Sequence, residues 1–201
     1  MSTLVLWHGA HRWEGPPQLR PAGKGKSEEG SGLYLTTSEQ TASKYAKGGG
    51  AVLRFEIDSD LRLLEDAWLD TADVVAFVES IPRLRNKKQV LADIQRAAGR
   101  QPDPTKIPAY VVENLMVNHD ALKGEAGPAL ARWFVSRGID ANVIRRSDED
   151  WLVLYNLDKI QSYRRAKTDE VRDSPRIPRK NNPAQPRSRA EQIAARLIMG
   201  D

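Results

Sequence analysis

The spacing at which apolar residues recur changes twice along this chain of 201 residues, and these changes limit the folds that the chain can adopt. Short apolar or alternating runs near both ends are typical of β-strands, whereas the middle has apolar residues at three-to-four spacing, which is typical of helices. Strands at both ends of a helical middle predict the α+β class. We expect strands at 3–7, 33–37, 51–58, 139–146 and 151–157, and helices at 39–47, 71–81, 87–99, 108–122 and 126–138.

Composition supports one folded domain with an appendage. Hydrophobic residues make up 40% of the chain and charged residues 29%, which is typical of a globular protein with a buried core. The chain contains no cysteine, so disulfides and thiolate metal sites are excluded, and neither His11 nor His119 has a partner at metal-ligand spacing. There is no apolar run of about eighteen residues and no basic leader before the first apolar run, so we expect a cytoplasmic protein without a membrane partner.

Positive charge is concentrated at the C-terminus. Residues 1–163 hold 21 Lys and Arg against 22 Asp and Glu, whereas residues 164–201 hold 10 against 5. The sequence therefore predicts a domain over 1–163, a basic flexible linker over 164–187 and a short amphipathic helix over 188–201. The tail either binds nucleic acid, an acidic protein or an anionic surface, or is only solvated. The helix either packs on the domain or docks on a partner or inhibitor protein.

Two short stretches contain the residues of chemical interest. "LVLWHGAH" ends an apolar run in His8-Gly9, and "GSGLYLTTSEQTASKYA" places Tyr34 after Gly32 and Tyr45 eleven residues later. Taken one at a time, His8-Gly9 is also typical of a turn, Tyr34 of a strand and Tyr45 of the buried side of a helix. Together they suit a flat cationic ring, because two tyrosines can stack on it, a glycine can offer its backbone to a carboxamide and an imidazole can bind a ribose hydroxyl. Nicotinamide riboside is such a ligand.

These motifs resemble the ADP-ribosyltransferase superfamily, in the branch of diphtheria toxin and the poly(ADP-ribose) polymerases. The resemblance covers residues 4–58 and returns more weakly at 135–160. It implies a split β-sheet core with a helical insertion, and NAD as co-substrate. It also implies that His8 holds a ribose hydroxyl, that Gly9 binds the nicotinamide amide and that Tyr34 and Tyr45 stack on the ring. Gly32 belongs to the same ligand-binding set as the glycine of the Gly-x-Tyr motif.

The chain departs from this family at the third motif. The family has a catalytic glutamate at the start of the strand that here reads "WLVLYN", and Trp151 fills that position beside the ligand. A tryptophan cannot stabilise the positive charge that develops on the ribose as nicotinamide leaves. A shift of one or two residues or a bulge would bring Asp150 or Glu149 into the site. Asp148, Glu149 and Asp150 are equally typical of a solvated turn, and both interpretations stay open.

The resemblance implies a mono-ADP-ribosyltransferase whose catalytic residues are His8, Tyr34 and an acid, Glu149 or Asp150. The basic tail favours an acceptor such as RNA, DNA or a nucleic-acid-bound protein, and by analogy a toxin-like or phage-defence effector. Two alternatives remain: an NAD glycohydrolase of the same fold, and a catalytically silent module that binds NAD or ADP-ribose.

Overall fold

The computed structural model describes residues 2–21, 30–167 and 169–178, and the expected C-terminal helix at 188–201 lies outside them. The chain is an α+β protein, as its apolar pattern predicted, and its described residues form five α-helices and a mainly antiparallel arrangement of strands. Its strands are β1 (Thr3–Ala10), β2 (Leu33–Thr36), β3 (Ala51–Asp58), β4 (Trp68–Asp70), β5 (Lys106–Pro108), β6 (Ala141–Arg145), β7 (Asp150–Leu154) and β8 (Ile160–Arg165). Its helices are α1 (Glu39–Tyr45), α2 (Thr71–Ser80), α3 (Lys87–Gly99), α4 (Ala109–Asn118) and α5 (Ala126–Ser136).

Six strands form the central sheet in the order β6-β7-β2-β1-β3-β8, and every neighbouring pair is antiparallel. β1 pairs with β3 over its whole length but with β2 through one residue pair, Trp7 with Thr36. The two halves of the sheet are therefore joined weakly between β1 and β2. The strands that contain the three sequence motifs, β1, β2 and β7, are neighbours at this joint.

Each face of the sheet has its own core. Alternation along β3 buries Leu53, Phe55 and Ile57 on one face, where they pack with Leu6 and Leu152. On the other face, Val153 and Ile144 join the helical core, which α2 to α5 fill with residues such as Val112 and Phe134. Tyr34 and Trp151 pack at the margin of this helical core. The candidate site therefore lies where the sheet meets the helices.

Helix α1 begins at Glu39, as the sequence predicts, and ends at Tyr45, two residues before the predicted end. The Ser38 side chain accepts a hydrogen bond from the Thr41 N–H at 3.3 Å, as an N-cap should. Gly48 and Gly49 have φ of 73° and 85°, a conformation that favours glycine and reverses the chain towards β3. The helix is thus held between β2 and β3, against the end of β1.

The structure adds elements that the sequence pattern did not predict. β8 reads "IQSYRR" and leaves five of its six side chains exposed, so it has no apolar alternation to detect. β4 and β5 have three residues each and form a separate two-stranded sheet. Residues 164–167 and 169–178 fall within the expected flexible linker, yet they end β8 and then pack on the domain, where Ile177 is buried. None of the described helices has the length and apolar character needed to cross a membrane.

Candidate functional site

Gly9 lies where β1 and β2 separate, and its backbone groups point into the gap. Its partner on β3, Val52, accepts a hydrogen bond from the Ala166 N–H at 2.9 Å on the β8 side. Hydrogen-bonded and non-hydrogen-bonded pairs alternate in an antiparallel ladder, so the Gly9–Val52 pair is a non-hydrogen-bonded one. The N–H and C=O of Gly9 therefore face β2. Among the described residues, no β2 residue is paired with Gly9.

The imidazole of His8 replaces the hydrogen bond that the ladder lacks. If the ladder continued from Trp7–Thr36, the Gly9 N–H would bond to the Tyr34 carbonyl. Instead, His8 Nδ1 lies 2.7 Å from that oxygen. A carbonyl oxygen only accepts, so Nδ1 carries the proton and Nε2 presents a lone pair. Burial lowers the pKa of His8 below 6.5, which keeps the imidazole neutral at pH 7.

Tyr34, Tyr45 and Trp151 form one aromatic cluster on the face of the sheet opposite the His8 side chain. The Trp151 ring meets Tyr34 at 6.2 Å and Tyr45 at 5.9 Å between centroids, in both cases edge to face. The Tyr34 hydroxyl donates to the Gly30 carbonyl at 2.6 Å, which fixes that ring. Tyr45 is 58% exposed, so its ring forms the open wall of the cluster.

The two motif glycines allow close packing of neighbouring elements. A Cβ on Gly9 would overlap the Ala42 carbonyl oxygen and lie 2.9 Å from the Tyr45 Cβ, so α1 rests directly on this glycine. A Cβ on Gly32 would lie 2.7 Å from a Val153 methyl and 2.8 Å from the Leu154 oxygen. Gly9 therefore has both an open backbone and a packing role, whereas Gly32 lets the start of β2 approach β7.

The adjacent acids Glu149 and Asp150 lie on opposite faces of the sheet. Glu149 is on the face of Trp151 and accepts a hydrogen bond from the Thr36 hydroxyl at 2.9 Å. Asp150 is fully buried on the other face, where it lies 2.6 Å from an Arg176 nitrogen and 3.4 Å from an Arg145 nitrogen. Its carboxylate also accepts from the Ile177 N–H at 2.8 Å. Only Glu149 shares a face with the aromatic cluster.

Trp151 itself has an unusual polar group. Its indole Nε1 is buried and has no hydrogen-bond partner among the described residues. Arg146 lies over the same ring, with its guanidinium carbon 4.8 Å from the centroid. At the second position of β7 the Trp151 ring thus offers one donor and no negative charge.

Sequence reasoning did not identify Glu113, a buried carboxylate behind the cluster. It accepts from the Tyr155 hydroxyl at 2.5 Å and from Asn142 Nδ2 at 2.8 Å, and a Cβ on Gly30 would overlap it. Burial and this carboxylate raise the pKa of Tyr155 well above its usual value. The available signal was an acid in the apolar run "AYVVENLMV" of α4.

The gap between β1 and β2, which we call the cleft, has the Gly9 N–H and C=O facing it, the neutral imidazole of His8 on one face of the sheet and the two tyrosine rings on the other. These are the groups that a planar amide-bearing ring and a sugar hydroxyl require, and Glu149 lies on the tyrosine face. Comparison of the chain with protein-family models, with curated proteins and with solved structures finds no match.

Proposed function

We propose that this chain is an NAD-dependent ADP-ribosyltransferase and that its weakly joined sheet is the split sheet of that fold. The observation that supports this most is the gap between β1 and β2, where His8 bonds to the Tyr34 carbonyl and Gly9 has no paired residue on β2. Backbone N–H and C=O at one residue match the two polar groups of a carboxamide. The neutral His8 has only Nε2 left, which suits a hydroxyl donor.

In this proposal each residue has a role at a stated atom. The Gly9 N–H and C=O bind the nicotinamide amide, Tyr34 and Tyr45 stack on the ring, and His8 Nε2 accepts a hydrogen bond from the ribose. NAD supplies a glycosidic bond whose electron pair leaves with nicotinamide while a nucleophile on the acceptor bonds to C1′ and loses its proton to solvent. Glu149 stabilises the positive charge that develops on the ribose.

The choice of Glu149 over Asp150 follows from their partners. Asp150 is held by Arg145, Arg176 and the Ile177 N–H, so its charge is already neutralised on the far face. Glu149 has a neutral hydroxyl partner, Thr36, and lies on the face of Tyr34. Its negative charge has no ion pair with a described residue, which is why we assign it this role.

The second candidate is a silent module that binds NAD or ADP-ribose. Trp151 favours it, because its ring lies edge to face against both tyrosines at the position of the family's glutamate. In that case Glu149 is only the hydrogen-bond partner of Thr36.

The test is release of nicotinamide from NAD by the purified full chain, measured by chromatography in buffer, with RNA, with DNA and with cell lysate. We expect Glu149→Gln, which keeps the shape and the bond to Thr36, to slow release by about a hundredfold or more. Asp148→Asn, at an exposed neighbouring acid, is the matched control and should keep activity.

Tyr45→Ala tests the ligand-binding wall, since its exposed ring can be removed at small cost to stability. We expect about tenfold weaker NAD binding by calorimetry, with Trp68→Ala, at another exposed ring, as control. Release in buffer alone would identify a glycohydrolase. NAD binding without release under any condition would identify the silent module, and absence of both would refute the proposal.

A further inference from the structure

The strands that border the cleft end together at one end of the sheet. β1 ends at Ala10, opposite the first residue of β3, Ala51. β8 ends at Arg165, which pairs with Leu53, two residues into β3. Since adjacent strands are about 4.8 Å apart, the end of β8 lies about 10 Å from the end of β1.

Helix α1 also ends here. Its last residue, Tyr45, lies over Gly9, the residue before the end of β1. The loop that follows is fixed to the same place, because His11 Nδ1 lies 2.9 Å from the Lys47 carbonyl oxygen. We call this end of the sheet, where Tyr45 lies over Gly9, the mouth of the cleft.

Positive charge collects at this mouth. We define the cationic end as Lys44, Lys47, Arg165 and Lys167, whose side chains are all exposed. Lys44, Lys47 and Arg165 have no ion pair with any described residue. Of the neighbouring acids, Glu14 is paired with Arg12 at 2.5 Å and Glu170 with Arg164 at 2.7 Å, and the exposed Asp169 has no ion pair with a described residue. The cationic end is therefore open to an external anion.

A row of aromatic rings leads from His8 to β8 on the face of the sheet opposite Tyr34 and Tyr45, and it shares that face with Arg165. Trp13 lies 5.2 Å from His8 and 6.2 Å from Tyr163 between ring centroids. Tyr163 stacks on Phe55 at 5.6 Å with its other face towards solvent, and it is 39% exposed. Exposed rings interleaved with cations are what proteins use to bind single-stranded nucleic acid, where bases stack and phosphates pair.

We propose that the cationic end, with Tyr163 and Trp13, is a binding surface for single-stranded nucleic acid. An unpaired strand offers both phosphates and free base faces, whereas a duplex hides its base faces and an acidic protein has none. The surface adjoins the mouth of the cleft, so a bound strand lies within reach of the reacting ribose. This last step rests on the proposed function: the strand is then the acceptor of ADP-ribose.

The experiment measures binding without NAD. The full chain is titrated against labelled single-stranded RNA and DNA of about twelve nucleotides, a duplex of equal length, heparin and polyglutamate, with fluorescence anisotropy as the readout. We expect the single strands to bind about fivefold or more tightly than the duplex and polyglutamate. Affinity should fall with salt, with a log–log slope of about 0.7 per phosphate contacted.

Two variants locate the surface. Lys47→Glu/Arg165→Glu should weaken binding of single strands about tenfold or more and reduce the salt slope by roughly one to two contacts. Arg83→Glu/Lys88→Glu makes the same charge change on exposed residues near α3 and should stay within about twofold. Tyr163→Leu keeps an apolar cover over Phe55, and it should weaken binding of single strands about fivefold while leaving heparin binding unchanged.

Each contrary outcome overturns one part of this proposal. Equal loss in both charge variants would show non-specific attraction. Polyglutamate binding as tight as the single strands would point to a protein partner, and duplex binding as tight as single strands would refute stacking. Because nicotinamide release is measured separately, the surface can fail while the enzyme proposal survives, and the reverse also holds.

Discussion

His8 bonds to the backbone of the neighbouring strand through one ring nitrogen, and this fixes what the other nitrogen can do. Nδ1 donates to the Tyr34 carbonyl, so Nε2 can only accept while the ring is neutral. Protonation would turn Nε2 into a donor and place a charge in a desolvated position. The protonation state of the His8 ring therefore decides whether Nε2 accepts or donates a hydrogen bond at the cleft.

The lowered pKa of His8 predicts a definite dependence of stability on pH. Between the pKa of His8 in the folded protein and 6.5, the unfolded chain binds more protons at His8 than the folded protein does. The contribution of the neutral imidazole to the free energy of unfolding is therefore fully present above pH 6.5, and it is lost as the pH falls through the folded pKa. This contribution to stability is about 1.4 kcal/mol for each pH unit by which folding lowers the pKa of His8. Urea unfolding at about pH 7.5 and about pH 5 measures the loss.

His8→Asn is the matched variant for this measurement. Its side-chain amide can donate to the Tyr34 carbonyl, but it does not titrate. We expect the wild type to lose more stability on acidification than the variant does. An equal loss in both proteins would show that His8 is not held neutral by burial.

The Gly9, Tyr34 and Tyr45 grouping could be predicted from sequence because those residues stand at the ends of short, strongly patterned elements. The acids before Trp151 could not be separated in this way. Glu149 and Asp150 are adjacent in sequence. Strand alternation puts their side chains on opposite faces, and Arg176, 26 residues after Asp150, then pairs with Asp150 on one of them. Glu113 was missed for a similar reason, since its partners come from β6 and the residue after β7.

At the scale of elements, β7 depends on Asp150 as the buried anchor of its first residue. Asp150→Asn should destabilise the protein by about 1–3 kcal/mol, because Arg176 and Arg145 lose a fully buried carboxylate while Arg145 keeps Glu65 at 3.2 Å. Urea unfolding at neutral pH measures the change. Asp148→Asn, at an exposed acid, should stay within about 0.5 kcal/mol. A small effect at Asp150 would mean that the arginines find solvent or another acceptor.

At the scale of the whole molecule, the C-terminal segment 169–178 closes the domain. The Ser174 N–H donates to the Thr37 carbonyl at 2.8 Å, and Asp173 Oδ1 accepts from the Glu39 N–H at the start of α1 at 2.8 Å. Ile177 then joins the core beneath the sheet. Its basic, proline-bearing composition predicted a flexible linker, because two apolar residues among ten, Val171 and Ile177, are too few to form a pattern.

Truncation tests this segment. A chain that ends at Pro178 should be more stable than one that ends at Thr168 by several kcal/mol. The shorter chain loses the burial of Ile177, worth about 1.5–3 kcal/mol, and leaves Asp150 without Arg176 and the Ile177 N–H. Thermal unfolding of both proteins measures the difference. Equal midpoints would show that the segment only covers the domain and does not stabilise it.

The sheet has two edges, and they are protected differently. At β6 a bridge from Leu63 to Ala141 begins to cover the edge. At β8 no described strand pairs with the outer side, and the last two residues of the strand are Arg164 and Arg165. Like charges on an open edge repel a second copy that approaches strand to strand. Because Arg164 is already paired with Glu170, Arg165 supplies the uncompensated charge at this edge, and a polyanion that neutralises it would remove that protection.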